Sequence, residues 1–298
     1  MAHEVAFHGS ATGKSAPRQR RRRRVGAPAL YIVLLLGAAI ALLPFFWMVS
    51  TSLMTRGETI TRQWLPQVPQ VRNYFVAWTE GRFGRYFVNS AVMTLTTLAG
   101  LLFTSILAGY AFARIRFIGR EVIFMVLLST MMLPEAVTLL PNFLLIRGDI
   151  IPLPGGGWLN TLQALTVPSM ANAFSIFLLR QFFRQIPPEL WDAARLDGCG
   201  HLRFLLAVGM PLSKAPIVTV ALFGFLHAWD AFMWPLRVTT RDTWRPLMVG
   251  LWSFVDEAGP DTQLLMAGAV LCLLPVLVLY LILQKHFTTT LVTSGLKG

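Results

Sequence analysis

Charged residues are scarce in this chain of 298 residues: only 13% are Asp, Glu, Lys or Arg, whereas soluble domains carry roughly 25%. Hydrophobic residues make up 55% of the sequence. Apolar stretches of about 20 residues recur, and each is long enough to cross a hydrocarbon core of about 30 Å as a helix. This composition excludes an ordinary soluble domain and predicts a polytopic membrane protein.

Acidic residues are also few, since 14 Asp and Glu face 26 Lys and Arg, which leaves a net charge of +12. Much of the excess lies in Arg18, Arg20 and the run 21–24, just before the first apolar stretch. A basic segment at this place is typical of the cytoplasmic side and of anionic lipid headgroups, and a nucleic-acid site is not needed to explain it. We expect residues 1–26 to be a disordered cytoplasmic tail. The apolar run from Ala27 to Val49 is too long for a signal-peptide core and predicts a retained helix.

The sequence contains no group of residues with the spacing of a catalytic or metal-binding motif. The only two cysteines, Cys199 and Cys272, lack metal-type spacing, and the five histidines are scattered. The stretch "GSATGKS" resembles a phosphate-binding loop, but His8 stands where that loop requires its first glycine, and no strand precedes it. The sequence therefore predicts no catalytic, cofactor or metal site in this chain, and it argues against an enzyme.

Six apolar spans emerge from the hydropathy pattern. They are Pro28–Ser50, Val88–Ala113, Glu121–Leu140, Leu159–Phe183, Pro211–Pro235 and Leu264–Gln284. An even number of spans places both termini on one side, and the basic tail assigns that side to the cytoplasm. We expect residues 27–298 to form a single all-α transmembrane domain.

Two ionisable residues, His227 and Asp230, lie within the fifth predicted span. Such groups are costly inside a membrane and usually face a bundle interior or a watery cavity. Asp230 either lines a translocation path or bonds a neighbouring helix, whereas His227 can stay neutral and is interpreted as a packed histidine. Together with Trp229 they form the candidate path.

A polar, punctuated segment separates the fourth and fifth spans. Pro187 and Pro188 suit the end of one helix and the first turn of the next, and Gly198 suits a helix end. Between them, Ala193 and Ala194 are small enough for another surface to approach closely. The pattern predicts a short cytoplasmic helix with a close-packing face and an acidic edge. An amphipathic loop on the headgroups is the alternative, but it does not explain the alanine pair and the glycine at fixed spacing.

This segment also carries a family resemblance. The stretch "DAARLDG", Asp192–Gly198, followed by "MPL", Met210–Leu212, resembles the E-A-A, three residues, G signature of importer permeases of the ATP-binding-cassette (ABC) class, with Asp192 where glutamate is usual. "FGRYFVNS", "GYAFARIRFIGR", "FLLRQFFRQIPPEL", "LLMAGAV" and the terminal "SGLKG" are similar to the smaller permease of carbohydrate importers of the maltose and glycerol-phosphate type. The stretch "WDAF" in the fifth span departs from the W-N-D/E-F that many members carry.

The resemblance implies a six-helix permease of the type I ABC importer fold in the inner or plasma membrane. It implies half of a translocation path for a di- or oligosaccharide or a sugar derivative, with a glycerol phosphate ester as the next candidate. The implied partners are a second homologous permease, two cytoplasmic ATPase subunits that hold ATP and Mg, an extracytoplasmic solute-binding protein, and the membrane lipid around the spans. No nucleic acid and no cofactor of this chain's own are implied.

The resemblance also assigns roles to particular residues. The loop 187–203 would couple the path to the ATPase through Glu189, Asp192, Ala193, Ala194, Asp197 and Gly198. The tail Ser294, Gly295, Leu296, Lys297 and Gly298 would contact the ATPase dimer.

An ion-coupled secondary carrier is the alternative function. Such a carrier needs ion sites and broken helices at mid-membrane, often within inverted repeats. The spans contain few ionisable residues and no obvious repeat, so this alternative ranks second.

Overall fold

The computed structural model describes residues 26–256 and 259–295. The basic tail up to residue 25 and residues 296–298 of the predicted ATPase-contacting tail lie outside the described residues. The helices are α1 (Gly26–Ser52), α2 (Arg56–Ile60), α3 (Arg72–Glu80), α4 (Phe83–Arg114), α5 (Arg120–Ser129), α6 (Glu135–Arg147), α7 (Leu162–Thr166), α8 (Ala173–Gln185), α9 (Pro188–Leu196), α10 (His201–Phe204), α11 (Met210–Leu212), α12 (Lys214–Trp229), α13 (Met233–Val238), α14 (Leu247–Leu251) and α15 (Thr262–Gly295).

Shorter elements complete the described chain. Three 3₁₀ turns, Thr130–Met132, Val167–Ser169 and Trp252–Phe254, and a π-helical turn, Leu205–Gly209, extend or join these helices. Two-residue strands β1 (Val255–Asp256) and β2 (Gly259–Pro260) pair antiparallel, with Val255 opposite Pro260.

The chain divides into two units, residues 1–46 and 47–298. In the first unit, α1 is apolar all round and exposes every side chain from Leu30 to Phe46. A helix with this composition is typical of a membrane span. The second unit contains the other helices and all the buried clusters described below.

Six candidate membrane spans are present in the described residues if each bent helix pair counts as one. Three are single helices: Leu30–Ser52, Phe83–Arg114 and Thr262–Ile282. Three are pairs bent at a short break: Arg120–Met132 with Glu135–Arg147 by 107°, Leu162–Ser169 with Ala173–Gln185 by 44°, and His201–Leu212 with Lys214–Trp229 by 83°. They follow the order of the six predicted spans, and the predicted all-α, six-span architecture is confirmed.

The breaks differ from the straight spans that the sequence pattern predicts. Within the predicted span 121–140, Leu133 is extended (φ −83°, ψ 120°), as a residue before proline prefers, and α6 starts anew after Pro134. The fifth span is bent at Ser213, where α12 begins, and α12 ends at Trp229 rather than at Pro235. The apolar composition found these spans, but the local backbone chemistry sets their bends.

Helix α4 lies at the centre of the second unit and packs against α8 and α12. Gly109 permits a close approach to α8, because a Cβ atom there would lie 3.0 Å from Leu179 Cβ and 3.2 Å from the Arg180 backbone nitrogen. The largest buried cluster fills this junction with Leu101, Ile106, Tyr110, Leu179, Phe183, Ile186, Phe204, Leu205 and Val220. The segment between the fourth and fifth spans therefore rests directly on the core.

Candidate functional site: the helix between the fourth and fifth spans

Helix α9 begins as the sequence predicts. Pro187 is the extended N-cap residue (φ −54°, ψ 135°), and Pro188 occupies the first turn, where its missing N–H costs little. Glu189 lies in the first turn and Arg195 in the last. Both charges complement the helix dipole, so the helix is favoured by its own sequence at both ends.

The C-terminal end of α9 is closed by a Schellman motif. The Gly198 N–H donates to the Arg195 carbonyl at 3.0 Å, and the Cys199 N–H donates to the Ala194 carbonyl at 2.9 Å. Gly198 adopts φ +73°, in the left-handed region that glycine enters at little cost. The predicted helix end at Gly198 is thus confirmed, and it fixes where the chain turns back toward the membrane helices.

The two sides of α9 are unequal. Trp191, Ala194 and the following Cys199 are half-buried and pack against the large core cluster. The other side is open, and Leu196 is 90% exposed. The predicted coupling residues Glu189, Asp192, Ala193, Asp197 and Gly198 are all exposed.

The two alanines of the pair lie on different sides of the helix. Ala194 packs against the chain's own core, and only Ala193 is fully open. Asp192, Arg195 and Leu196 line a shallow depression of about 330 Å³ on the open side. The open side of α9 thus combines an exposed leucine with an acid and a base.

Aromatic side chains hold the inner side of α9. The Trp191 ring stacks on His201 with 4.2 Å between centroids and 13° between planes, and it meets Phe204 edge-on at 5.1 Å. The hydroxyl of Tyr110, on α4, lies 3.0 Å from His201 Nδ1 and forms a hydrogen bond with it. Sequence reasoning missed these contacts, because Tyr110 and His201 are 91 residues apart and no spacing rule joins them.

Two arginines tie the end of α8 to its neighbours. Arg114, in the last turn of α4, donates from Nε to the Phe183 carbonyl at 3.0 Å and from Nη2 to the Ile186 carbonyl. These carbonyls lie at the C-terminal end of α8, where no further helical N–H can reach them. The residue that follows Ile186 is Pro187, so this contact also fixes the entrance to α9.

Arg180 of α8 is 4% exposed and is satisfied on three sides. Its Nε donates to the Phe112 carbonyl at 3.2 Å, its Nη2 reaches both Glu121 carboxylate oxygens at 2.9 and 3.1 Å, and its guanidinium lies 3.8 Å from the Phe124 ring centroid. A buried guanidinium needs such pairing to offset the loss of water. The contacts join α8 to α4 and α5.

The three candidate path residues, Trp229, His227 and Asp230, differ in exposure. Trp229 is 3% exposed, donates from Nε1 to the Cys272 carbonyl at 3.0 Å and stacks on Phe225, so its assignment to the surface of a path is wrong. His227 and Asp230 are exposed on this chain. Whether His227 packs against another helix of the assembled transporter therefore stays a prediction.

Among the described residues, no three His, Cys, Asp or Glu side chains lie together as metal ligands. Ser294 and Gly295 of the predicted ATPase-contacting tail belong to the last turn of α15.

Comparison with known proteins identifies the family. The family model described as "Binding-protein-dependent transport system inner membrane component" matches residues 100–292. The diacetylchitobiose uptake system permease protein NgcG of Streptomyces coelicolor is 30% identical over 262 residues, covering 86% of this chain and 84% of the relative. The sn-glycerol-3-phosphate transport system permease protein UgpE of Yersinia pestis is 34% identical over 214 residues, covering 71% and 74%.

The fold matches a solved structure. The crystal structure of a bacterial ABC transporter involved in the import of the acidic polysaccharide alginate aligns with a TM-score of 0.77 and 24% identity, covering 91% of this chain and 100% of that one. The predicted importer-permease fold is confirmed by this likeness. Because the family match spans more than half of the chain and includes all of α9, this protein belongs to the inner membrane components of binding-protein-dependent transport systems.

Proposed function

We propose that this chain is one permease subunit of an ATP-driven importer of a sugar and forms half of its translocation path. Among the relatives, NgcG, a diacetylchitobiose permease, supports a saccharide, and UgpE, an sn-glycerol-3-phosphate permease, supports a glycerol phosphate ester. A di- or oligosaccharide or a sugar derivative is the leading solute, and a glycerol phosphate ester is the second. The chain acts as a transport subunit, and ATP and Mg are held by a partner ATPase.

The open side of α9 is the observation that carries the proposed mechanism. A short helix with an exposed leucine, an exposed alanine and an acidic edge sits between two spans and ends at a fixed turn. Glu189, Asp192, Ala193, Asp197 and Gly198 are the coupling residues, and Leu196 belongs with them. A bound ATPase can move a permease only if it binds the inward-open and outward-open states with different affinity. Contact at α9 supplies such a difference when the helix moves with the spans.

The remaining partners complete the transporter. A second, homologous permease forms the other half of the path, two ATPase subunits bind on the cytoplasmic side, and a solute-binding protein docks outside. Both termini are cytoplasmic, and the tail 294–298 contacts the ATPase dimer. Within the membrane, the exposed His227 and Asp230 line the path.

An ion-coupled carrier is not retained as an alternative. The bent spans would suit such a carrier. However, the family match assigns the chain to binding-protein-dependent transport systems, so it replaces that interpretation.

Asp192→Lys tests the proposed role of α9. The carboxylate is exposed and bonds nothing within the described residues, so folding of the chain should survive its replacement. A lysine would present the wrong charge to a groove that receives an acid, and we expect loss of ATPase co-purification or of ATP hydrolysis stimulated by the binding protein in reconstituted vesicles.

Glu80→Lys is the matched control, because Glu80 is an equally exposed acid at the end of α3, in a predicted outer loop. It should leave ATPase binding unchanged. Wild-type binding and hydrolysis in the Asp192→Lys complex would reject α9 as the contact with the ATPase.

A further inference from the structure

The inner side of α9 reaches a span that is not its neighbour in sequence. The loop that contains α9 connects α8 to α12, but its aromatic contact is with Tyr110 of α4, the second span. We propose that the hydrogen bond between Tyr110 and His201, backed by the Trp191 stack, is the joint that makes α9 and α10 move as one body with α4. This inference rests on the proposed role of α9 as the ATPase-contacting helix.

The geometry of the joint indicates that a displacement of α9 is transmitted to α4. Tyr110 is 3% exposed and lies edge-on to Phe183 at 5.9 Å, so its ring is fixed by the core on one side. On the other side its hydroxyl holds His201, and the His201 ring lies flat against Trp191. A displacement of α9 must therefore carry Tyr110 with it or separate a buried tyrosine hydroxyl from its hydrogen-bond partner. Leaving a buried polar group unpaired is costly.

The covalent connections alone do not provide this stiffness. On the side of the fifth span, the chain passes through the π-helical turn Leu205–Gly209 and then bends by 83° at Ser213. Bends and π-turns of this kind are points where a helix deforms. On the side of the fourth span, α8 is fixed to α4 by Arg114 and by the close approach at Gly109. Tyr110 lies on the same helix, within about one turn of both contacts.

This arrangement assigns Tyr110 and Trp191 a positioning role rather than a contact with the ATPase. Tyr110 is buried and the Trp191 ring faces inward, so neither belongs to the open side of α9. The open side can bind a partner whether or not the joint is intact. The joint decides whether a movement of α9 reaches the second span.

The test measures distance within the assembled complex. Spin labels are placed at Leu202→Cys on α10 and Phe103→Cys on α4, both exposed, in a chain whose two native cysteines are replaced by alanine. The complex with its ATPase, in lipid nanodiscs, is compared without nucleotide and after trapping with ATP and vanadate. We expect the same label-to-label distance in both states. With Tyr110→Phe or His201→Phe, which remove the hydrogen bond and keep a ring, we expect trapping to shift the mean distance by about 1–2 Å, the scale of helix shifts at packed interfaces.

The double variant and one control sharpen the result. Tyr110→Phe combined with His201→Phe should shift the distance no more than either single change, because both remove the same bond. Tyr280→Phe, which removes a hydroxyl from a ring that is 58% exposed on α15, should behave as the wild type. ATPase co-purification should be unchanged in all of these variants.

Three outcomes would overturn the joint. The first is a distance that shifts on trapping in the wild-type chain, the second is a pair of single variants that behave as the wild type, and the third is loss of the ATPase in those variants, which would assign the cluster to docking. None of these results depends on Asp192→Lys. Wild-type ATPase binding and hydrolysis in that variant would instead reject the proposed role of α9 as the contact with the ATPase.

Discussion

At the scale of single residues, Gly198 is the position in the candidate site where the backbone conformation requires glycine. Its φ of +73° closes the Schellman motif, and no atom lies within 4 Å of the place where a Cβ would stand. Space is therefore available for a side chain, but the backbone conformation disfavours one. Any effect of substitution at this position comes from backbone strain rather than from a clash.

Gly198→Val should strain the end of α9 by about 1–3 kcal/mol, because a β-branched residue is strongly disfavoured at positive φ. We expect a complex that reaches the membrane but loses ATP hydrolysis stimulated by the binding protein. Gly200→Val is the matched control, since Gly200 is exposed, has ordinary extended backbone (φ −83°) and also has no neighbour within 4 Å. Equal hydrolysis in the two variants would mean that the turn at Gly198 does not matter for coupling.

The sequence predicts residues well where local backbone chemistry decides the outcome. Pro188 and Gly198 start and end α9 as expected, because proline and glycine restrict or free the backbone wherever they occur. The orientation of Ala194 and of Trp229 depends instead on which side of a helix meets the core. That choice is made by partners distant in sequence, such as the Cys272 carbonyl that accepts from Trp229.

At the scale of helices, the apolar pattern located all six spans but not their bends. Hydropathy averages over about 20 residues and does not respond to one extended residue such as Leu133. The resemblance to importer permeases pointed to α9 through "DAARLDG", but no sequence motif pointed to the aromatic cluster that packs against it. Its members come from α4, α8, α9 and α10 and meet only in the folded chain.

Glu121→Gln tests how α5 is fastened to α8. Glu121 supplies the carboxylate for the buried Arg180 guanidinium, and without it Arg180 loses its charged partner. We expect a lower melting temperature of the purified complex in detergent. Glu135→Gln is the control, because Glu135 is likewise an acid in the first turn of its helix. An equal decrease in both variants would trace the effect to the helix dipole instead of the Arg180 pair.

At the scale of the whole molecule, six spans place both termini on one side of the membrane and the connecting loops alternately on the two sides. The proposed orientation puts the termini in the cytoplasm. A cysteine at Pro154, an exposed position between the third and fourth spans, should react with an impermeant thiol reagent added outside intact cells. A cysteine at Gly13 should react only after the membrane is opened. Both are introduced into a chain without Cys199 and Cys272, and reaction of both positions from the same side would contradict the proposed topology.

The contact between Tyr110 and His201 also sets an order of events during synthesis. The two residues are 91 positions apart, and Arg114 is likewise separated from its partner, the Ile186 carbonyl, by 72 positions. At about 5–20 residues per second, a ribosome needs about 5–20 s to make the intervening chain. During that interval the second span lies in the bilayer with its tyrosine hydroxyl and its guanidinium still lacking these partners. The contacts around α9 are thus complete only after the fourth span has been made and the chain has turned at Gly198.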